Sequence, residues 1–99
     1  MAAIGAFVTI RPRAGRTAEV IALLARARGD IAANEAGNAY YDVFRSRCDP
    51  AVIHVLEKYR DAEAVRAHAR RPAVQALGQA LAPLIDGEII VELLDEAQG

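Results

Sequence analysis

The sequence predicts an α+β domain with its elements in the order βαββαβ, and three observations carry that reading. Apolar residues alternate at a period of two over Ile4–Ile10, two further strand-like stretches, Tyr40–Ser46 and Ala51–Tyr59, flank a turn, and Glu88–Leu94 is strongly β-prone. A helical spacing of apolar positions fills the stretch from Thr17 to Asn34, and a second helical stretch, interrupted by Pro72, lies between the third and fourth strands. Strand and helix periods that interleave in this way are satisfied by a four-stranded antiparallel sheet with its helices on one face.

In the first strand, Ile4, Ala6, Val8 and Ile10 alternate with Gly5, Phe7, Thr9 and Arg11, and Pro12 ends it. After Arg13-Ala14-Gly15, Thr17 is read as the cap of a helix whose apolar positions Val20, Leu24, Ala27 and Ile31 recur on one side, with Arg26, Arg28 and Asp30 turned to water. The segment Asn34-Glu35-Ala36-Gly37-Asn38 stops it. Tyr40 to Ser46 is the second strand, with Tyr41, Val43 and Arg45 on one face and Tyr40, Asp42 and Phe44 on the other. Arg47-Cys48-Asp49-Pro50 is a turn into the third strand, Ala51 to Tyr59, so the two strands form an antiparallel hairpin. Parity groups Ile53, Val55, Glu57 and Tyr59. Asp61 caps a helix to about Arg70, and Pro72, suited to a first turn, opens a further helix with the stripe Val74, Leu77, Gly78, Leu81. Asp86-Gly87 turns into the closing strand, Glu88 to Leu94. This order is the split βαβ, or ferredoxin-like, arrangement.

Ninety-nine residues make a single domain over 1–99. Although 54% of the chain is hydrophobic, 22 residues are alanine and only 5% are aromatic, so each core residue buries little area. One face of the sheet also lacks helices, and both considerations point to a homodimer. A net charge of −1 supplies no field for nucleic acid or an anionic membrane, and no apolar run approaches the roughly 20 residues of a membrane span. With Cys48 as the lone cysteine, neither an internal disulfide nor a thiolate metal site can form. The N-terminal run alternates and carries no basic leader, so the expected location is the cytoplasm.

The residues that could carry chemistry gather where the third strand meets its helix. Glu57 and Tyr59 share a strand face, and His68 lies three residues beyond Val65 on one helix stripe, so carboxylate, phenol and imidazole can converge. Such a trio can move a proton near neutral pH. It can equally be structural, with Tyr59 closing the core, Glu57 paired to an arginine and His68 bonded to backbone or water. His54 has the opposite parity and reads as a packed residue on the uncovered face.

The segment Glu57, Tyr59, Asp61, Ala64, His68 resembles the antibiotic biosynthesis monooxygenase family. The resemblance extends to Pro12-Arg13-Ala14-Gly15, Glu35-Ala36-Gly37-Asn38, Asp42-Val43-Phe44-Arg45-Ser46 and Asp49-Pro50, nearly the whole chain. It implies a dimeric α+β barrel and a small-molecule substrate, with no cofactor and no metal. It points to His68 and Tyr59 as catalytic, to Tyr41 and Tyr59 as hydrogen-bond donors, and to Glu57 and Arg45 as residues that hold the site or the substrate. The activity implied is oxygenation of a small aromatic, quinol or polyketide-type compound by molecular oxygen.

Two positions depart from the family pattern: Tyr59 stands where tryptophan is commoner, and Ala73 where many relatives have a second histidine. The tyrosine is similar to a family isomerase that processes a phosphorylated signal molecule. On that alternative the imidazole moves a proton next to a carbonyl and Arg45 holds the anionic group. A non-catalytic small-molecule-binding dimer is a third possibility. Haem degradation is disfavoured, because relatives of that type use an asparagine on the first strand and Met1–Ile10 contains none.

Overall fold

The computed structural model describes residues 2–98. Strands β1 (Ile4–Ile10), β2 (Asn38–Arg45), β3 (Ile53–Tyr59) and β4 (Ile90–Asp95) form one antiparallel sheet in the order β2-β3-β1-β4. Helix α1 (Thr17–Asn34) connects β1 to β2, and α2 (Ala62–Arg70) and α3 (Pro72–Leu81) connect β3 to β4 through a 3-10 turn at Ala82–Leu84. This is the expected ferredoxin-like α+β order.

Parity decides which face is covered. Val8 and Ile10 of β1, Tyr41 of β2, and Ile53 and Val55 of β3 pack in one core with Val20, Leu24 and Ile31 of α1 and Leu81 of α3. The register places Ala6 opposite Glu57 and Glu57 opposite Tyr41, so these residues share the helix-covered face. The other face carries Phe7, Thr9, Tyr40, Phe44, His54, Leu56, Ile90 and Leu94, many of them exposed.

Local chemistry explains the ends. The Arg16 N–H donates to the Arg13 carbonyl at 3.0 Å, and Gly15 takes φ +79°, which a turn with a left-handed third residue requires. Thr17 is the first helical residue and not the cap; the cap position is Arg16, which makes no side-chain cap bond and instead grips Glu19 at 2.6 and 3.0 Å. Asp61 does cap α2, accepting from the Ala64 N–H at 2.8 Å, and that bond holds its carboxylate below the ordinary range. Pro72 opens α3 at its first turn.

Three strands begin elsewhere than the sequence reading places them. β2 begins at Asn38, with an irregularity between Asn38 and Tyr40 that restores the pairing. β3 begins at Ile53, because residues before it are spent on a turn: the Ser46 hydroxyl accepts from the Cys48 and Asp49 N–H groups and Asp49 accepts from Ala51. β4 begins at Ile90, after Gly87 makes its turn at φ +84°.

Candidate active site

Glu57 and Tyr59 project from the last turns of β3 toward the helices, and both are buried. The Tyr59 hydroxyl donates to Glu57 Oε1 at 2.5 Å. His68 of α2 lies over this pair, its ring centroid 5.2 Å from that of Tyr59 and its Nε2 3.9 Å from Glu57 Oε1. The three residues therefore converge. On its other side the ring meets Glu35, from the loop between α1 and β2, with Nδ1 2.9 and 3.0 Å from the two carboxylate oxygens. A carboxylate only accepts, so Nδ1 carries the proton and Nε2 is directed at Glu57.

Glu35 is itself held. Arg71, at the junction of α2 and α3, donates to it at 2.6 Å and reaches Asp30 of α1 at 2.8 Å. Those two carboxylates raise the guanidinium's affinity for its proton, and in return the bond from Arg71 holds Asp30 below the usual carboxylate range. The loop carrying Glu35 is fastened to α2 and to the end of β3. The Arg60 N–H donates to the Gly37 carbonyl at 2.8 Å, and a Cβ at Gly37 would stand 2.5 Å from that of Ala64. Only a residue without a side chain allows so close an approach.

Burial raises the affinity of Glu57 for a proton; the Tyr59 hydrogen bond and the nearby His68 oppose this, and the Glu35 charge adds to it. Tyr59 and Tyr41 are pushed well above the ordinary phenol range, first by burial, then by the hydrogen bond to Glu57 for Tyr59 and by the Glu57 charge for Tyr41. Both phenols are therefore held in their protonated form, and that of Tyr59 donates to Glu57. Glu57 and Tyr41 line an otherwise largely apolar cavity of about 180 Å³ between sheet and helices, walled by residues that include Leu24, Val55, Val74, Leu77 and Val91. A separate polar cleft of about 210 Å³ is lined by Glu35, His68, Arg71 and Arg60 among others.

A profile of the family described as antibiotic biosynthesis monooxygenase matches residues 3–80. The chain belongs to this family. A candidate antibiotic biosynthesis monooxygenase from Caulobacter crescentus is 28% identical, with a TM-score of 0.92 over 98% of this chain and 92% of that one. A protein from Shewanella oneidensis is 27% identical at a TM-score of 0.86, over 96% and 91% of the two chains. A Mycobacterium tuberculosis protein, at 23% identity and a TM-score of 0.87 over 98% and 100%, shares the fold. No curated protein matches the chain. Family and neighbours together support a generic monooxygenase-like role.

Within this monooxygenase-family fold the residues named from sequence are distributed unevenly. Tyr41, Glu57, Tyr59 and His68 lie at one end of the covered face. Arg45 does not join them: it is exposed and pairs with Ile53, four residues along β3 from Glu57, or about 13 Å at ~3.3 Å per residue. Open space flanks this trio on two sides. Tyr59 and Glu57 fill the junction beneath the imidazole, and the apolar cavity opens on the far side of Glu57. Glu35 and Arg71 were missed as site residues. Glu35 stood in the motif Glu35-Ala36-Gly37-Asn38, yet nothing in its spacing reveals that it meets a histidine 33 positions later. Among the described residues no group of three His, Cys, Asp or Glu side chains is arranged to hold a metal ion, and no helix is long and apolar enough to cross a membrane.

Proposed function

We propose that this chain is a cofactor-independent monooxygenase acting on a small aromatic, quinol or polyketide-type substrate with molecular oxygen. The observation that supports it is the apolar cavity whose wall presents one carboxylate, Glu57, and one phenol, Tyr41. An apolar cavity of ~150 Å³ accepts benzene, so the space suits a single small ring system. Its lining contains no lysine or arginine, and Arg45 is remote, which favours a neutral ring over a phosphorylated signal molecule.

Bound there, an acidic hydroxyl or activated methylene gives up its proton to the site, and the electron pair stays on the substrate. The anion is the reductant and oxygen the oxidant: a C–H2 group becomes C=O, one oxygen atom is retained and the other leaves as water. No external reductant is needed. The site contributes desolvation, orientation and hydrogen bonds from the phenols to the developing oxyanion.

The protein acts in this reading as a cytoplasmic homodimer. Its open sheet face exposes Phe44 at 52%, Ile90 at 62% and Leu94 at 43%, a surface that a second copy would bury. The test is oxygen uptake with quinol and anthrone substrates in metal-free buffer. Stoichiometric uptake with incorporation of labelled oxygen into the product is expected. Exchange of substrate protons with solvent without uptake would instead identify an isomerase, and neither response would leave a binding protein.

A further inference from the structure

The cavity and the polar cleft share no lining residue, yet a continuous row of side chains joins them. Glu57 forms part of the cavity wall. His68 lies 3.9 Å behind it and borders the cleft, and Glu35, anchored by Arg71, holds the far side of the ring at 2.9 Å. We propose that Glu57 is the catalytic base of the cavity and that His68, oriented by Glu35, is the exit through which the substrate proton passes from the apolar-lined cavity to the cleft. The proposal rests on the monooxygenase reading for the chemistry it serves.

The proton balance is simple. The substrate O–H or C–H bond breaks, its electron pair stays on the substrate, and a Glu57 O–H bond forms. That bond breaks in turn as an Nε2–H bond forms on His68; the imidazolium then turns to the cleft it borders, gives the Nε2 proton to water there, and returns with its Nδ1–H again on Glu35. A separation of 3.9 Å is too long for transfer, and a modest rotation of the Glu57 carboxyl brings Nε2 within reach; catalytic hydrogen bonds are often long before substrate binds. The exit is needed because the cavity wall is apolar, and a proton left on Glu57 would block the next turnover.

The charged and titratable groups around this row are few. Tyr59 on β3, Tyr41 on β2 and Glu35 on the loop face Glu57; Glu35, Glu57 and Tyr59 face His68; Arg71 and, through it, Asp30 face Glu35. His68 and Glu35 are positioning residues on this assignment, and Glu57 touches the substrate.

Two measurements decide it. In the ligand-free protein with 13C-labelled glutamate, Glu57 is expected to titrate above the ordinary carboxylate range, and further up in H68Q, because removing the imidazole removes a group that lowers it. An unchanged Glu57 titration in folded H68Q overturns the coupling, whatever the reaction turns out to be. In oxygen-uptake assays, H68A is expected to lose roughly 10²-fold in kcat with little change in KM. Added imidazole should restore turnover, whereas pyrazole, equal in shape but scarcely basic, should not. E35Q, which keeps an acceptor for the Nδ1–H, should lower kcat less than H68A and shift the pH profile. Restoration by pyrazole as well as by imidazole, or by neither, would overturn the exit role. A wild-type protein that takes up no oxygen overturns the monooxygenase reading alone, since the titration still decides the relay.

Discussion

The helix-covered and open faces of the sheet are built from alternate residues of the same strands, and each carries a histidine in very different company. On the covered face β3 presents Ile53, Val55, Glu57 and Tyr59, all under 10% exposed, and Glu57 answers to His68 above it. On the open face His54 stacks on Phe7, with ring centroids 4.7 Å apart, and its Nδ1 lies 3.3 Å from both the Thr9 hydroxyl and the Val8 carbonyl. No carboxylate approaches it among the described contacts. One imidazole has a buried carboxylate on either side of its ring, and the other is stacked on a phenyl ring as a piece of surface. The comparison teaches that a histidine's company here follows from which face of the sheet it meets more than from residue type.

The sharpest way to break this contrast is to alter the covered face. E57Q preserves the shape of the side chain and removes its basicity; oxygen uptake should fall by ~10²–10⁴-fold in kcat, while circular dichroism stays as in the wild type. On the open face, F44K combined with L56K should leave the monomer folded and any residual turnover measurable. The proposed dimer should weaken by several kcal/mol, since like charges would be brought together in an apolar contact. Sedimentation velocity would read this, and an undiminished dimer would place the interface elsewhere.

A smaller effect sharpens the covered side. Y59F deprives buried Glu57 of its hydroxyl donor and should cost roughly 1–3 kcal/mol in chemical denaturation. The pH dependence has a definite sign. Because the native state raises the proton affinity of Glu57, folding takes up a proton between the unfolded and native titration ranges. The stability this group contributes is therefore present at low pH and lost as pH rises through the raised native value. The difference in stability between wild type and E57Q should shift in favour of the glutamine as the pH is raised from about 4 to about 8. H54A should change least, leaving kcat unaltered in the same assay.

The fold was legible because its signals are local. Alternation in β1, the Asp61 cap, Pro72 at the head of α3 and Gly87 in its turn are each decided within a few residues. The convergence of Glu57, Tyr59 and His68 was legible for the same reason, since one strand, one turn and one helix separate them. Glu35 and Arg71 were not, because their meeting depends on how the end of α1 approaches α2 across the sheet. The separation of Arg45 from the trio was not legible either: parity gives the face of the strand but says nothing about which end of that face the cavity occupies. The position of the cavity beyond Glu57 depends on how α3 lies over β1 and β3, which periodicity does not encode.

The tight seam between Gly37 and Ala64 makes one hydrogen atom a determinant of chemistry some distance away. A methyl group at position 37 would prise the loop from α2 and draw Glu35 off the imidazole without touching any reacting group. Substitutions there should therefore loosen the grip on the ring while the apolar cavity, which neither residue lines, keeps its shape.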